Sequence, residues 1–247
     1  MLPASGCDQS RLNRPLAVTF DFWNTLFWAG AGVLRLRARR LAPWLQAQEE
    51  TVHRVLVEAF DRHQAEWRAG RCWGPRELAE VLVRRFTLDG HDGRLDELTS
   101  LVEVSAVGTG ERPVDGAAEA IDELCGAGLR LGIISDTGFS PGRVLRACLH
   151  RAGLLHRFEP AALTFSDEVG VPKPNPRIFR AALTSLGVAP GQAVHVGDLR
   201  ATDVAGARAI GMGSVRFTGC HDDGDDGPEA EAVICRLTDL PAVLELT

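Results

Sequence analysis

Four short segments carry residue types that could act together on one small anion. Asp21 follows directly on the apolar run LAVTF (16–20), and Thr25 comes four residues later. A second apolar run, LRLGIIS (129–135), ends in Ser135 with Asp136 beside it, and Gly138 allows the chain to turn sharply. Lys173 stands between Pro172 and Pro174, whose rings restrict the backbone on both sides, so the ammonium is aimed. Asp198 follows the run AVHVG (193–197), and Asp203 comes five residues on, at a helix start. A carboxylate nucleophile, a hydroxyl, a fixed cation and two further carboxylates suit nucleophilic attack on phosphorus. Asp21 would form the covalent intermediate, and Ser135 and Lys173 would stabilise charge on the transferring group. A magnesium ion with few protein ligands would neutralise the rest. Asp198 would bind it directly, and Asp203 would orient Lys173 or a metal-bound water.

These segments need strand ends to hold them. Apolar β-branched runs recur at 16–20, 129–135, 161–165, 193–197, 213–217 and 230–234, and most are separated by amphipathic helical patterns such as 140–153 and 174–187. The alternation predicts right-handed βαβ units around a parallel sheet. Strands that are apolar throughout are expected to be buried on both faces. Between Leu26 and about Pro113 the rhythm breaks: no strand signal appears, and helical patterns run over roughly 31–48, 51–68, 75–87 and 93–106. The chain thus divides into a catalytic core of residues 1–27 and 108–247 and a helical insertion of 28–107.

The 247 residues are enough for one sizeable domain with an insertion. A net charge of −6 leaves no electrostatic footprint for nucleic acid or an anionic membrane. The basic run RLRARR (35–40) reads as a solvated helix face, and CHDDGDDGPEAEA (220–232) as an exposed acidic loop. Six cysteines without a CxxC, and a start lacking a signal-peptide pattern, imply free thiols in a reducing, cytoplasmic protein.

In the order and spacing of DFWNT, IISD, VPKPNPRIF and GDLRATDVAGA, the chain resembles the haloacid dehalogenase (HAD) superfamily of Rossmann-like hydrolases with aspartate nucleophiles. The helical interval falls where that family inserts a cap. The resemblance implies Asp21 as nucleophile, with Thr25 and Ser135 on the phosphate side and Asn24 and Asp136 near substrate. Lys173 would hold the nucleophile and phosphoryl group. Asp21, Asp198, Asp203 and the main-chain carbonyl of Trp23 would make up the magnesium site. The expected substrate is a phosphorylated small metabolite.

The sequence departs from the family at one point. Phosphatases of the family read Asp-x-Asp-Gly-Thr, and the second Asp is a general acid; here that position is Trp23, followed by Asn24. An indole donates one neutral hydrogen bond and cannot shuttle a proton. Losing such a group costs typically ~10²–10⁴ in rate. Three readings follow: phosphoryl chemistry without that acid, or with one supplied from the insertion (Glu49, Glu50, His53 or Glu66); dehalogenation, whose branch carries an aromatic residue here; or a binding module that has lost hydrolysis. The dehalogenase branch reads Ser-Ser-Asn-x-x-Asp-x-x-Gly-Ala in its fourth motif. Aligned on Asp203 to Ala207, its Asn falls on Arg200 and one of its serines on Asp198, and its tyrosine is replaced by Phe179. The first reading therefore leads. A long-lived aspartyl-phosphate could also pass its phosphoryl group to an acceptor other than water.

All five tryptophans lie in the first 73 residues. Trp44 and Trp67 are expected to pack the insertion's own core, and Trp73, with Arg71 beside it, to face a substrate carrying a flat or apolar part and an anionic group. Glycines in WAGAG (28–32) could hinge the insertion.

Overall fold

A computed structural model describes residues 14–28, 32–86, 91–106, 112–224 and 226–246. The sheet starts with β1 (Ala17–Phe20), and a two-residue strand β2 (Phe27–Trp28) follows. Four helices come next: α1 (Val33–Leu45), α2 (Glu49–Arg68), α3 (Pro75–Arg85) and α4 (His91–Val104). The chain returns through β3 (Arg112–Pro113) to α5 (Ala117–Gly126), β4 (Arg130–Ser135), α6 (Gly142–Arg151), β5 (Leu163–Phe165), α7 (Ser166–Val169) and α8 (Pro176–Leu186). It ends with β6 (Ala193–Gly197), a π-helical turn (Arg200–Val204), α9 (Ala205–Ala209), β7 (Gly213–Phe217), β8 (Ala232–Ile234) and α10 (Leu240–Val243).

The main sheet has the order β5-β4-β1-β6-β7-β8, and every neighbouring pair is parallel. Its strands other than the edge strand β8, where Val233 is exposed, are buried because they carry mostly apolar side chains on both faces. Val18, Phe20, Leu131 and Ile133 point to the face covered by α5 and α6, while Ala17 and Ile134 point to the face covered by α8. The connection leaves β1 for β4 on one side and returns to β6 on the other. Such a switch point opens a crevice at the strands' carboxyl ends, and Asp21 lies there.

Helix α8 begins at Asn175, whose side chain accepts from Arg177 N at 3.0 Å, and ends at Gly187 with φ 62°. Its inward face carries Phe179, fully buried and edge-on to the His195 ring on β6 (centroids 5.3 Å apart). This anchors the start of α8, and with it the Lys173–Pro174 segment, whose peptide bond is cis.

The one ladder the sequence did not suggest is the antiparallel pair of β2 with β3, Phe27 opposite Pro113 and Trp28 opposite Arg112. Two residues are too few for a period-2 signal. The four helices between these strands bury a cluster of their own, including Leu41, Leu56, Leu78 and Leu98. Phe139, from the loop after β4, packs into that cluster. The suggested hinge residues 29–31 and the boundary at 107 lie outside the described residues. Among the described residues no helix is long and apolar enough to cross a membrane.

The packing of α8 on α9 leaves no room for a side chain at Gly206: a Cβ there would lie 2.3 Å from the Phe179 ring and 3.2 Å from Pro174 Cα. Gly206→Ala is expected to destabilise the protein by about 1–3 kcal/mol despite the helix-propensity gain. Pairing it with Phe179→Leu should recover part of the loss relative to the sum of the single changes. Urea midpoints at unchanged slope would register both effects; a Gly206→Ala variant as stable as the parent would contradict this packing.

Candidate active site

Lys173 lies at the bottom of the crevice with its side chain 3% exposed. Its Nζ donates to Asp21 Oδ1 at 2.5 Å and to Asp203 Oδ1 at 2.6 Å. Burial alone would lower the lysine's pKa; Asp203, Asp21 and Asp136 outweigh it and hold the ammonium charged well above its usual range. Asp203 is backed on its far side. His195 Nε2 lies 3.0 Å from Asp203 Oδ1, and Nδ1 lies 2.9 Å from Thr19 Oγ1. An ionised carboxylate only accepts, so Nε2 carries a proton and donates it to Asp203. Leu199 N donates to Asp203 Oδ2 at 3.1 Å. Burial would raise the Asp203 pKa, but Lys173 and His195 hold it well below the usual carboxylate range.

The other two carboxylates are less well compensated. Burial pushes Asp21 up to about 6 against the pull of Lys173. Burial, with Asp21 and Asp203 adding repulsion, pushes Asp198 up to about 8. His221 Nδ1 is 3.8 Å from Asp198 Oδ2 on a half-exposed side chain.

Above this floor lies a cavity of about 330 Å³. Asp21, Trp23, Asn24, Asp136, Lys173, Asp198 and Asp203 all line it. Asn24 sits at φ 58°, the left-handed conformation Asn tolerates, in the tight loop where Phe27 N donates to Phe22 O. Trp23 packs edge-on against Phe22 (centroids 4.8 Å), which stacks on Phe27 (4.6 Å). Asp136 accepts from Lys173 N at 3.0 Å and from Trp67 Nε1 at 2.9 Å, so it joins α2 to the end of β4.

Several sequence expectations need correction. Thr25 and Ser135 are fully buried and are not among the cavity-lining residues: Thr25 Oγ1 finds no hydrogen-bond partner among the described residues, and Ser135 Oγ donates to Asp136 O at 3.3 Å. Asp136, Thr137 and Gly138 present the end of β4 to the cavity instead. Asp203, by contrast, is turned to Lys173, His195 and Leu199 N, in line with its reading as the residue that orients Lys173. Among the described residues, no three His, Cys, Asp or Glu side chains are grouped to hold a metal by themselves. Trp73 does not face the cavity. It is buried in the insertion's cluster against Phe139 (5.8 Å), with Arg62 stacked over it at 5.4 Å. Arg71 is exposed and donates to Glu66 at 2.5 Å. Trp67, expected in the insertion's core, lines the cavity. None of the acid candidates reaches it: Glu49 and Glu50 pair with Arg39 and Arg35 at the surface, Glu66 is held by Arg71, and His53 is absent from the lining.

The insertion contributes two polar groups that sequence reasoning passed over. His63 Nδ1 is 2.8 Å from Trp73 O, so that nitrogen carries the proton and the neutral ring leaves Nε2 as an acceptor. A Cβ on Gly138 would lie 3.5 Å from Nε2, so the ring's free edge faces the loop after β4. Burial lowers the His63 pKa. The second group is Arg37. It sits in the basic run read as a solvated face, yet it is only 4% exposed. Its signal was its register: residues 37, 41 and 45 share one face of α1, and all three are buried. His195, also passed over, left one signal: a polar residue inside an otherwise apolar strand.

Comparison with known proteins agrees with this geometry. The haloacid dehalogenase-like hydrolase family matches residues 15–211. The glyceraldehyde 3-phosphate phosphatase of Methanopyrus kandleri is 28% identical over 213 residues, 81% of this chain and 83% of that protein. A 64-residue stretch is 50% identical to the phosphoserine phosphatase of Thermus thermophilus, covering 26% of this chain and 25% of that one. Among solved structures, a HAD phosphatase from Thermococcus onnurineus superposes with a TM-score of 0.62 at 26% identity, covering 92% and 97% of the two chains. A 2-haloacid dehalogenase from Pseudomonas syringae pv. Tomato DC3000 has the same fold, with a TM-score of 0.68 at 24% identity over 93% and 98%. With a nucleophile-type Asp, a clamped Lys and paired carboxylates at the strand ends, and the family match over most of its length, the chain belongs to the haloacid dehalogenase-like hydrolases.

Proposed function

We propose that the protein is a magnesium-dependent phosphatase acting on a small phosphorylated metabolite in the cytoplasm through an aspartyl-phosphate on Asp21. The observation that carries this reading is the pairing of Asp21 with a buried lysine beside Asp198, a carboxylate with no comparable cation of its own. Two buried carboxylates pushed up by burial and by neighbouring carboxylates suit a hard divalent cation. Asp21, Asp198 and the Trp23 carbonyl would hold it, with Asp203 positioning Lys173. When bound, magnesium would neutralise phosphoryl oxygens next to Asp21.

The steps belong to the chain's own residues. Asp21 attacks phosphorus, its carboxylate oxygen forms the new bond, and the ester oxygen leaves with the bonding pair. Lys173 stabilises charge on the phosphoryl oxygens. Water then attacks the aspartyl-phosphate, releasing inorganic phosphate and restoring Asp21. Helices α1–α4 act as the cap, with Trp67 and Asp136 joining it to the core. With Trp23 in the acid's position, the departing oxygen takes its proton from water, so good leaving groups are favoured. The 2-haloacid dehalogenase reading is weaker, because it has no use for Asp198.

p-Nitrophenyl phosphate should be hydrolysed with magnesium, and turnover should fall at least ~10³-fold with EDTA or in Asp21→Asn. Alkyl phosphates should lag by about 10² or more, and Trp23→Asp should narrow that gap. Metal-independent turnover of 2-chloropropionate in place of these activities would overturn the assignment.

The carboxylates also predict a pH response without turnover. Asp21 (about 6) and Asp198 (about 8) lie above their unfolded values near 4. Their contribution to stability is complete below pH ~4 and is lost as pH rises through 8. Asp203, held low, contributes above pH ~4 and is lost only in acid, so it is flat across this window. In EDTA, Tm should therefore fall between pH 5 and 8.5. Asp198→Asn should flatten the fall, and magnesium should reverse it in the parent protein. Parallel curves for parent and Asp198→Asn would count against an uncompensated Asp198.

A further inference from the structure

Among the described residues, Arg37 has no counter-charge. Its Nη1 donates to Val102 O at 2.5 Å and Ser105 Oγ at 2.7 Å, and its Nη2 to Ser140 Oγ at 2.9 Å. All three partners are neutral, and none of the described carboxylates pairs with it. The guanidinium lies 5.7 Å from the Phe139 ring centre, and burial lowers its pKa to about 10 with no opposing anion. As a clamp it ties α1 to the end of α4 and to the loop after β4. The α4 carbonyl end offers it partial negative charge. A clamp explains the three hydrogen bonds but not the charge, since burying an ion without an opposite one is strongly unfavourable. Three of the five N–H donors are used in these bonds.

Arg37 also borders the cavity that holds Asp21 and Lys173. The same lining carries the apolar side chains of Leu34, Phe60 and Phe139 beside the polar His63, Gln64 and Thr137. We propose that this end of the cavity is a second anion site, and that the substrate is a phosphomonoester carrying a carboxylate at the far end of a short apolar spacer, received by Arg37. This rests on the phosphatase reading for the phosphoryl end only; the Arg37 end stands on the guanidinium's own surroundings. Arg71 and Trp73, the sequence's candidates for this role, are engaged elsewhere.

The two ends can be tested separately by binding, without turnover. Alkanoates of three to six carbons probe Arg37 alone, alkylphosphonates probe the phosphoryl end alone, and ω-carboxyalkylphosphonates of matched length probe both. Calorimetry on the magnesium-loaded protein should find one carboxylated phosphonate binding at least ~10-fold tighter than its uncarboxylated partner, as a charge-assisted bidentate contact implies. The ratio should fall to within ~2-fold in Arg37→Met and be intermediate in Arg37→Lys. Alkanoate binding should be detectable in the parent and lost in Arg37→Met. Circular dichroism checks that each variant folds, and Arg37→Gln replaces Arg37→Met if the latter does not. Alkanoate binding that is absent from the parent, or that persists without the guanidinium, overturns the second site whatever the phosphonates do. Alkanoate binding with no phosphonate binding would keep the Arg37 site and remove the phosphatase reading.

Discussion

The site is organised around one buried ammonium. Lys173 reaches Asp21 and Asp203 at once, so the segment before α8, the end of β1 and the turn before α9 must converge to within hydrogen-bond distance. Removing the lysine would leave two buried carboxylates facing each other without a cation, which typically costs about 3–5 kcal/mol. The support runs further back. Asp203 is held by His195 and His195 by Thr19, so a polar chain crosses the middle of an otherwise apolar sheet. Gly197 makes this possible: a Cβ there would sit 2.3 Å from the Asp203 carboxyl carbon.

Satisfying Lys173 this way leaves charge over in two places. At the floor, Asp21 shares the lysine with Asp203, and Asp198 lies beside them with burial raising its pKa. Elsewhere in the cavity lining, Arg37 has only neutral partners among the described residues. A cavity with unmet negative charge at one end and unmet positive charge at the other is poorly suited to a purely apolar ligand. It is suited to a cation plus an anion that spans both ends. Two of the cavity-lining side chains also tie the insertion to the core: Trp67 donates to Asp136 and Arg37 donates to Ser140, and outside the cavity Arg143 pairs with Glu103. Recognition and closure of the insertion are thus made by partly the same side chains, as expected where binding energy drives the exclusion of water.

How far the sequence revealed this follows from what each residue answers to. The parallel strands were legible because burial on both faces forces unbroken apolar runs. Asp21, Asp198 and Lys173 were legible because they directly follow those runs or stand between prolines, and Asp203 because it lies five residues beyond Asp198 at a helix start. The β2–β3 pair was not, since two residues carry no period and their pairing depends on where the chain returns once the whole insertion has folded. Arg37 was misread because a run of arginines looks solvated until its register with Leu41 and Leu45 is counted. Trp73 and Arg71 were misplaced for a related reason. Which side of a helix–helix connection meets the core is fixed by tertiary packing, here by Phe139 inserting into the insertion's cluster beside Trp73, and no local pattern records it.

Trp23 is best understood through its neighbours. It packs on Phe22, Phe22 stacks on Phe27, and Phe27 opens the short ladder to β3 that leads into and out of the insertion. The indole is therefore part of the aromatic wall between the strand end and the insertion's stem, a place where a carboxylate would sit against apolar surface with its pKa raised. The family's usual acid position has become a packing position. If phosphoryl transfer proceeds here, the demand for a proton donor moves to the leaving group itself and to water. His63, the remaining titratable ring on the cavity wall, has Nδ1 committed to the Trp73 carbonyl and Nε2 open as an acceptor. In its neutral form it can receive a hydrogen bond from a substrate hydroxyl or a water, so it is better placed to orient than to protonate. The geometry thus separates two roles that one carboxylate would have combined: aromatic packing at the strand end, and polar contact from the helix above.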